Sequence, residues 1–230
     1  MTPLYEDNHI IIVDKQPGEI VQGDKTGDTP LSAIVAAYLK EKYAKPGNVF
    51  VGVVHRLDRP VGGVVIFAKT SKALARLNEM LRKHQIHKTY WAIVEGCPEK
   101  DSDTLSDLLV SSERNNKTYV VGNGSTALSD AREATLRYKV LYRGERYSLV
   151  EVTLITGRKH QIRVQLANIG HPIKGDLKYG ARRSNRGGGI SLLARRICFT
   201  HPVSRQEIDV TAPLPTDDPL WSHLAPTESC

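Results

Sequence analysis

Two short apolar runs enclose a charged segment in the first third of the chain, and this arrangement constrains the fold more than any other feature. The runs, residues 49–54 and 64–68, are short enough to be buried strands. The segment between them carries Asp58, flanked by Arg56 and Arg59 and followed by a proline and two glycines. A carboxylate held on a bend between two core strands can be a reactive group, and a charged hairpin loop is the alternative.

The remaining apolar patterns are mostly those of strands. Helical spacing predicts three helices, one with Thr29 as N-cap, one that begins at Thr70 or Ser71, and one ending before Gly170. The polar, poorly patterned residues 98–130 predict a loop-rich excursion with a short strand at 118–121. Further strands are predicted at residues 10–13, 88–96, 134–141, 147–155, 191–199 and 207–210. Strands outnumber helices and several are consecutive, which favours an α+β fold with a largely antiparallel sheet.

Length and composition are those of an ordinary soluble globular protein. The 230 residues can form one large domain or two small lobes, and no linker separates independent domains. Residues 225–230 are expected to be a frayed tail. The widely spaced Cys97, Cys198 and Cys230 suggest reduced thiols rather than disulfides or a zinc finger. Without a signal peptide or an apolar run of roughly 18 residues, the protein is expected to be cytoplasmic, with no membrane association.

The charge balance favours polyanionic partners. Lysine and arginine number 32 against 25 acidic residues, which gives a formal net charge of +7. A surplus of this size favours nucleic acid above all, although basic enzymes of small substrates also exist.

Basic residues concentrate in two later segments. Arg158 and Lys159 precede a helix, where cations oppose the helix dipole, so they indicate either an external anion such as phosphate or simple solvent exposure. His160 and Arg163 lie on one stripe of that helix and can face the same feature. Residues 182–189 form an arginine- and glycine-rich loop that suits backbone phosphates, with a disordered hairpin tip as the alternative.

Three blocks stand in a fixed order along the chain. They are residues 55–58 with Gly63, residues 88–92, and residues 157–163 followed by Gly175 and Asp176. Together they resemble the RluA-type family of pseudouridine synthases. Residues 7–18 and 199–202 resemble segments of the same catalytic domain, so the resemblance covers roughly residues 5–215. Since only four residues precede residue 5, we expect the chain to lack the small S4-type RNA-binding domain that many members carry.

The resemblance implies a pseudouridine synthase fold, with a mixed, largely antiparallel sheet, flanking helices and loops, and an RNA-binding cleft. It implies isomerisation of uridine to pseudouridine in rRNA or tRNA without cofactor or metal, by a monomer with no obligate protein partner. Asp58 matches the catalytic residue, Tyr90 the tyrosine that stacks on the target base, and Arg163 the basic partner of the aspartate. The residues expected to contact RNA are Arg56, Arg59, Arg158, Lys159, His160, Lys174, Arg182, Arg183 and Arg186.

The chain departs from the family pattern at a few positions. Val61 and Gly62 replace a threonine and a serine that many members carry, and Gln165 replaces a frequent histidine. The changes at Val61 and Gly62 are expected to alter loop packing while activity survives, and the change at Gln165 is expected to affect auxiliary RNA contacts rather than the chemistry. The main alternative is a catalytically inactive RNA-binding protein or RNA chaperone on the same fold. A metal hydrolase using His84, His87 and His160 lacks an HExxH or comparable ligand pattern.

Overall fold

The computed structural model describes residues 1–122 and 129–226. The chain forms two units, one of Met1–Lys88 with Ala194–Pro213, the other of Thr89–Leu193 with Leu214–Cys230. Of the predicted frayed tail, the last four residues lie outside the described part of the chain. Among the described helices, none is both long and apolar enough to cross a membrane.

The described elements have the α+β composition that the sequence predicts. The strands are β1 (Tyr5–Glu6), β2 (Ile10–Lys15), β3 (Gly52–Val53), β4 (Gly62–Ala68), β5 (His87–Glu95), β6 (Ser102–Ser112), β7 (Lys117–Val120), β8 (Arg132–Tyr142), β9 (Tyr147–Leu154), β10 (Leu192–Thr200) and β11 (Glu207–Thr211). The helices are α1 (Leu31–Lys42), α2 (Ser71–Arg82), α3 (Gln161–Asn168) and α4 (Leu220–Leu224).

The first unit is built around β2 and β4, whose apolar residues are buried on both faces. The strand order is β1, β2, β4 and β10, with β3 also paired to β4 and β11 to β10. The pairs β1–β2, β2–β4, β3–β4 and β10–β11 are antiparallel. Continuous burial explains why β4 reads as an unbroken apolar run rather than an alternating one.

The two helices of this unit differ in how they begin. Thr70 caps α2, where its Oγ1 atom accepts a hydrogen bond from Ala73 N, as predicted. The prediction that Thr29 caps α1 is wrong, because Pro30 occupies the N-cap position in an extended conformation without a side-chain cap. The first N–H groups of this helix need no capping side chain, because Leu31 N donates to Ile20 O at 2.7 Å and Ser32 N donates to Val21 O at 3.2 Å.

The second unit is an antiparallel sheet in the order β5, β9, β8, β6 and β7. The prediction of a loop-rich excursion at residues 98–130 is wrong where β6 lies, although the short strand predicted there corresponds to β7. Of the eleven residues of β6, only Leu105 and Leu109 are buried. Backbone hydrogen bonds to β8 and β7 on either side stabilise a strand whose side chains are mostly polar.

Gln165 fixes α3 to this sheet. Its buried Nε2 atom lies within hydrogen-bond distance of Leu105 O (3.3 Å), Asp107 Oδ2 (2.7 Å) and Ala134 O (3.1 Å). The side chain that stands where relatives often have histidine therefore contacts β6 and β8. It holds the helix that carries Arg163.

The segments near residues 7 and 201, both part of the resemblance, meet in the first unit. His201 is buried, and its Nδ1 atom accepts hydrogen bonds from Val203 N and Ser204 N. Its Nε2 atom lies 2.9 Å from Asp7 Oδ2. Burial lowers the pKa of His201, which favours the neutral ring with its proton on Nε2. The histidine thus joins the end of β10 to the N-terminal segment.

Candidate functional site

The charged segment begins where β3 ends, and His55 extends the contact with β4. Its Nε2 atom accepts a hydrogen bond from Ile66 N at 3.2 Å. Burial, and to a smaller extent Lys88, lowers the pKa of His55 to about 3. The ring is therefore neutral at physiological pH, with its proton on Nδ1, and Nε2 remains an acceptor. This anchors the start of the segment that carries Asp58.

Asp58 lies on a turn that leads directly into β4. The turn closes through a hydrogen bond from Val61 N to Asp58 O at 3.0 Å. Val61, one of the departures from the family pattern, is a buried apolar residue. Gly63 has a φ of +111°, and a Cβ atom there would collide with the backbone of Ala194. The glycine at this position is therefore required for the close approach of the two chain segments.

Lys15, at the end of β2, is the buried residue beneath this turn. Its side chain has no exposed surface. The Nζ atom donates to Val61 O at 2.6 Å, Arg59 O at 3.1 Å and Gln16 O at 3.2 Å. Sequence reasoning did not select it as a site residue. The available signal was its position two residues after Val13, which places it on the same face of a buried strand as that residue.

The two arginines flanking Asp58 differ in their surroundings. Arg56 is exposed. Arg59 donates from Nη1 to Asp28 Oδ2 at 2.6 Å and from Nη2 to Thr26 Oγ1 at 2.7 Å, and Asp24 Oδ2 lies 3.5 Å away. An RNA phosphate would compete with these carboxylates for the guanidinium. RNA contact by either arginine stays a prediction.

Tyr90 lies on β5 in the second unit, opposite Val152 of β9. It is 6% exposed and shares its buried face with Ala92 and Val94, which is the alternation predicted for this strand. The antiparallel pairing of β5 with β9 fixes the position of Tyr90 on the sheet. Its role as a platform for a base stays a prediction.

Arg163 forms a buried ion pair with Asp176. The guanidinium donates from Nε to Asp176 Oδ2 at 2.7 Å and from Nη2 to Oδ1 at 2.9 Å, and the two side chains are 5% and 1% exposed. Its Cζ atom also lies 5.0 Å from the centre of the Tyr179 ring. Two parallel hydrogen bonds and an aromatic face fix both the position and the plane of the guanidinium. The predicted pairing of Arg163 with Asp58 stays a prediction.

His160 is part of the same buried cluster. Its Nδ1 atom lies 2.7 Å from the Tyr179 hydroxyl, which also accepts a hydrogen bond from Thr118 N at 2.9 Å. Burial raises the pKa of Tyr179, so the hydroxyl keeps its proton and can donate it to Nδ1. The prediction that His160 and Arg163 face one feature is confirmed, and that feature is Tyr179. The prediction that both lie on one stripe of the helix is wrong, because His160 is the N-cap of α3, in a left-handed conformation with a φ of +53°. RNA contact by the buried His160 stays a prediction.

Comparison with known proteins identifies the family. Residues 9–168 match the family model described as RNA pseudouridylate synthase. The chain belongs to this family. The resemblance of its three blocks to pseudouridine synthases is thereby confirmed.

Curated relatives of this family member align along most of its length. It is 36% identical over 93% of its length to an RNA pseudouridine synthase of Bacillus subtilis (strain 168), of which it covers 68%. It is 32% identical over 92% to ribosomal large subunit pseudouridine synthase C of Vibrio vulnificus, covering 65%. It is 31% identical over 91% to tRNA pseudouridine synthase C of Pectobacterium carotovorum, covering 58%. The chain thus spans 58% to 68% of the length of these relatives.

Solved structures confirm the fold of this pseudouridylate synthase family member. Human RNA pseudouridylate synthase domain containing 4 superposes with a TM-score of 0.77 at 24% identity, covering 96% of this chain and 90% of that one. Human RNA pseudouridylate synthase domain containing 1 gives 0.73 at 22% identity, covering 97% and 86%. The predicted α+β class and fold family are therefore confirmed.

Two of the cations expected to contact RNA form hydrogen bonds with other residues of the second unit. Arg158 donates from Nε to Glu133 O at 3.0 Å. Lys174 donates from Nζ to Asn185 Oδ1 at 2.8 Å and Asp218 Oδ2 at 2.6 Å. These contacts order the side chains, and an RNA phosphate would have to share or displace them.

Apart from the buried His160, the other expected RNA contacts on this unit are solvent-exposed. Lys159, Arg183 and Arg186 are exposed, and the Arg182 side chain is 90% exposed beside Glu95, at 3.8 Å. An open groove of about 650 Å³ is lined by Glu95, Glu145, Arg146, His171, Arg182 and Arg183, among others. Across residues 1–122 and 129–226, no three His, Cys, Asp or Glu side chains are grouped as metal ligands.

Proposed function

We propose that this chain converts uridine to pseudouridine in RNA, with Asp58 as the catalytic carboxylate. In this reaction the bond between ribose C1′ and uracil N1 breaks, the base turns, and C1′ bonds to C5. The proton on C5 is released to solvent, and N1 gains one. The carboxylate can attack C1′, attack the ring or assist glycosidic cleavage. Because the isomerisation involves no net oxidation, the proposal includes no cofactor.

The observation that carries this proposal is the family match, because the matched residues include Asp58, a carboxylate that RNA binding alone does not need. Asp58, Tyr90 and Arg163 all lie within residues 9–168. A protein that only binds RNA gains nothing from an acid in its binding surface, since that acid repels phosphates. Retention of the acid therefore favours catalysis over the alternative of an inactive RNA-binding protein or chaperone.

The roles proposed for Tyr90, Arg163 and Arg56 follow from the chemistry. Ribose C1′ cannot be reached inside a stacked helix, so the uridine must leave its stack. An aromatic platform such as Tyr90 then stabilises the displaced base by about 1–3 kcal/mol, and its hydroxyl can help remove the C5 proton. A guanidinium partner such as Arg163 favours the ionised carboxylate, which is the nucleophilic form. Arg56 is proposed to fill the space that the base vacates.

Tritium release from RNA labelled at uracil C5 tests the proposal directly. We expect the wild-type protein to release tritium from unmodified rRNA or tRNA, because the C5 proton is lost only when C1′ bonds to C5. RNA binding without release from either class would contradict catalysis and support the RNA-binding alternative.

The substrate class is also proposed, with relatives named for both the large ribosomal subunit and tRNA. The net charge of +7 agrees with an RNA partner of either kind. We propose that the chain acts in the cytoplasm as a monomer, without an obligate protein partner. Mapping pseudouridines in RNA from cells with and without the gene identifies the target, and sedimentation measures the oligomeric state.

Removing Arg182 and Arg186 together by alanine substitution is expected to weaken RNA binding and reduce its dependence on salt. Each lost phosphate contact lowers the slope of log K against log salt by roughly one. Filter binding over a series of salt concentrations measures that slope. Arg196→Ala is the control, because Arg196 is already bonded to Asp209. An unchanged slope in the double variant would argue against phosphate contacts on this loop.

A further inference from the structure

We propose that Lys15 is a positioning residue for catalysis, because its ammonium group holds the turn that carries Asp58. The inference rests on the proposed function of Asp58. It adds to that function a residue that does not touch the substrate, and it makes the rate depend on the protonation of a buried amine.

The geometry ties the turn to the end of β2 at two points. The Lys15 ammonium donates to the carbonyl oxygens of Arg59 and Val61, the first and third residues after Asp58. Gly18 N donates to the Arg59 oxygen as well, at 2.8 Å. Together with the third acceptor, Gln16 O, the bonds use all three N–H groups of the ammonium. A shift of the turn therefore breaks bonds to a group that is itself held by the sheet.

The charge on Lys15 is unfavourable for folding, which argues that Lys15 serves catalysis rather than stability. Its three acceptors are neutral carbonyls, so none neutralises the buried cation directly. Burial lowers the pKa of Lys15 to about 8, with Glu19 and then Asp58 opposing the shift and Arg59 adding to it. An apolar residue of similar size would fill this strand position without that penalty.

The protonation of Lys15 predicts a loss of rate at alkaline pH. A neutral amine has two N–H donors and a lone pair, so it cannot serve three carbonyl oxygens. Between pH 8 and 10.5 the unfolded chain holds the proton while the folded chain does not, so the contribution of Lys15 to stability rises with pH in this window. A fall in rate above pH 8 therefore cannot be explained by unfolding driven by Lys15.

The experiment compares wild type, Lys15→Met, Lys15→Arg and Lys69→Met by single-turnover tritium release at saturating RNA from pH 6 to 9.5. Lys69 is the matched control, because it is 6% exposed in the same unit and its Nζ atom bonds to Glu6 and to Asp7 O, away from the turn. RNA affinity and thermal unfolding are measured for each protein. All four proteins are compared on the same RNA, so ionisation of the uridine affects them equally.

We expect the wild-type rate to fall above about pH 8 and the Lys15→Met rate to be roughly 100-fold lower at pH 7, the usual effect of a misplaced catalytic group. RNA affinity stays within about 3-fold, since the turnover step and not binding is affected. Lys15→Arg keeps measurable activity without the alkaline fall, because arginine stays protonated. Lys69→Met keeps the wild-type rate and pH profile.

A wild-type rate that stays constant through pH 9 overturns the inference, whatever the variants do. So does a folded Lys15→Met protein with a wild-type rate, or an alkaline fall in Lys15→Arg identical to that of wild type. If Lys15→Met fails to fold, the inference is tested by comparing the pH profiles of wild type and Lys15→Arg. Absence of release by the wild-type protein overturns the proposed function, and this inference with it.

Discussion

Substitution of Asp58 by asparagine is expected to lower the single-turnover rate of tritium release by about 10⁴-fold or more, as removal of an essential catalytic group does in other enzymes. Asparagine keeps the size of the side chain and one acceptor oxygen, but it has no ionised carboxylate. The turn itself is held by backbone atoms of Arg59 and Val61, so the variant should remain folded. RNA labelled at uracil C5 provides the measurement, at saturating protein.

Asp209→Asn is the matched control for this variant. Asp209 lies in the same unit on β11, where its carboxylate is 39% exposed and bonded to Arg196. We expect the control to release tritium at the wild-type rate. The affinity of Asp58→Asn for RNA should be unchanged or higher, because a negative charge has been removed. Equal release by wild type and Asp58→Asn would assign the chemistry to another residue.

The strands around Asp58 were predictable because of how they are buried. β4 is covered on both faces, so its sequence is a continuous apolar run. β6 was not predictable, since backbone hydrogen bonds to two neighbours stabilise it and these leave no trace in the side-chain pattern. For α1, burial of Leu31, Val35 and Leu39 makes the helix visible in the sequence. Its N-cap residue has no side-chain hydrogen bond, so the sequence does not reveal where the helix begins.

The sequence predicted which residues belong to the candidate site, but not which partners hold them in place. The order of Asp58, Tyr90 and Arg163 indicated the family, and the family match confirmed it. The residues that hold Asp58 and Arg163 in place come from elsewhere in the chain. Lys15, which bonds to the turn that carries Asp58, lies 46 residues from its acceptor at Val61. Asp176, the partner of Arg163, follows it by 13 residues. Charged residue types predict exposure, so their burial could be found only from the partners that the fold supplies.

Asp176→Ala is expected to lower the free energy of unfolding by about 3–5 kcal/mol, because it leaves a buried guanidinium without its bidentate partner. The pair it breaks is 5% and 1% exposed, so water cannot replace the lost carboxylate. For a chain of this size the loss corresponds to a fall in melting temperature of roughly 6–20 °C. Chemical denaturation followed by circular dichroism measures the free energy.

Asp101→Ala separates the effect of burial from that of losing any arginine–aspartate pair. In the same unit, Asp101 accepts from Arg143 Nη2 at 2.6 Å, but the two side chains are 88% and 39% exposed. Water solvates the remaining Arg143 guanidinium after the substitution, so this variant should lose no more than about 1 kcal/mol. Equal losses in the two variants would mean that burial does not set the strength of the Arg163 pair. A loss confined to Asp176→Ala would show that the buried Asp176 carboxylate helps to hold the Arg163 guanidinium in place.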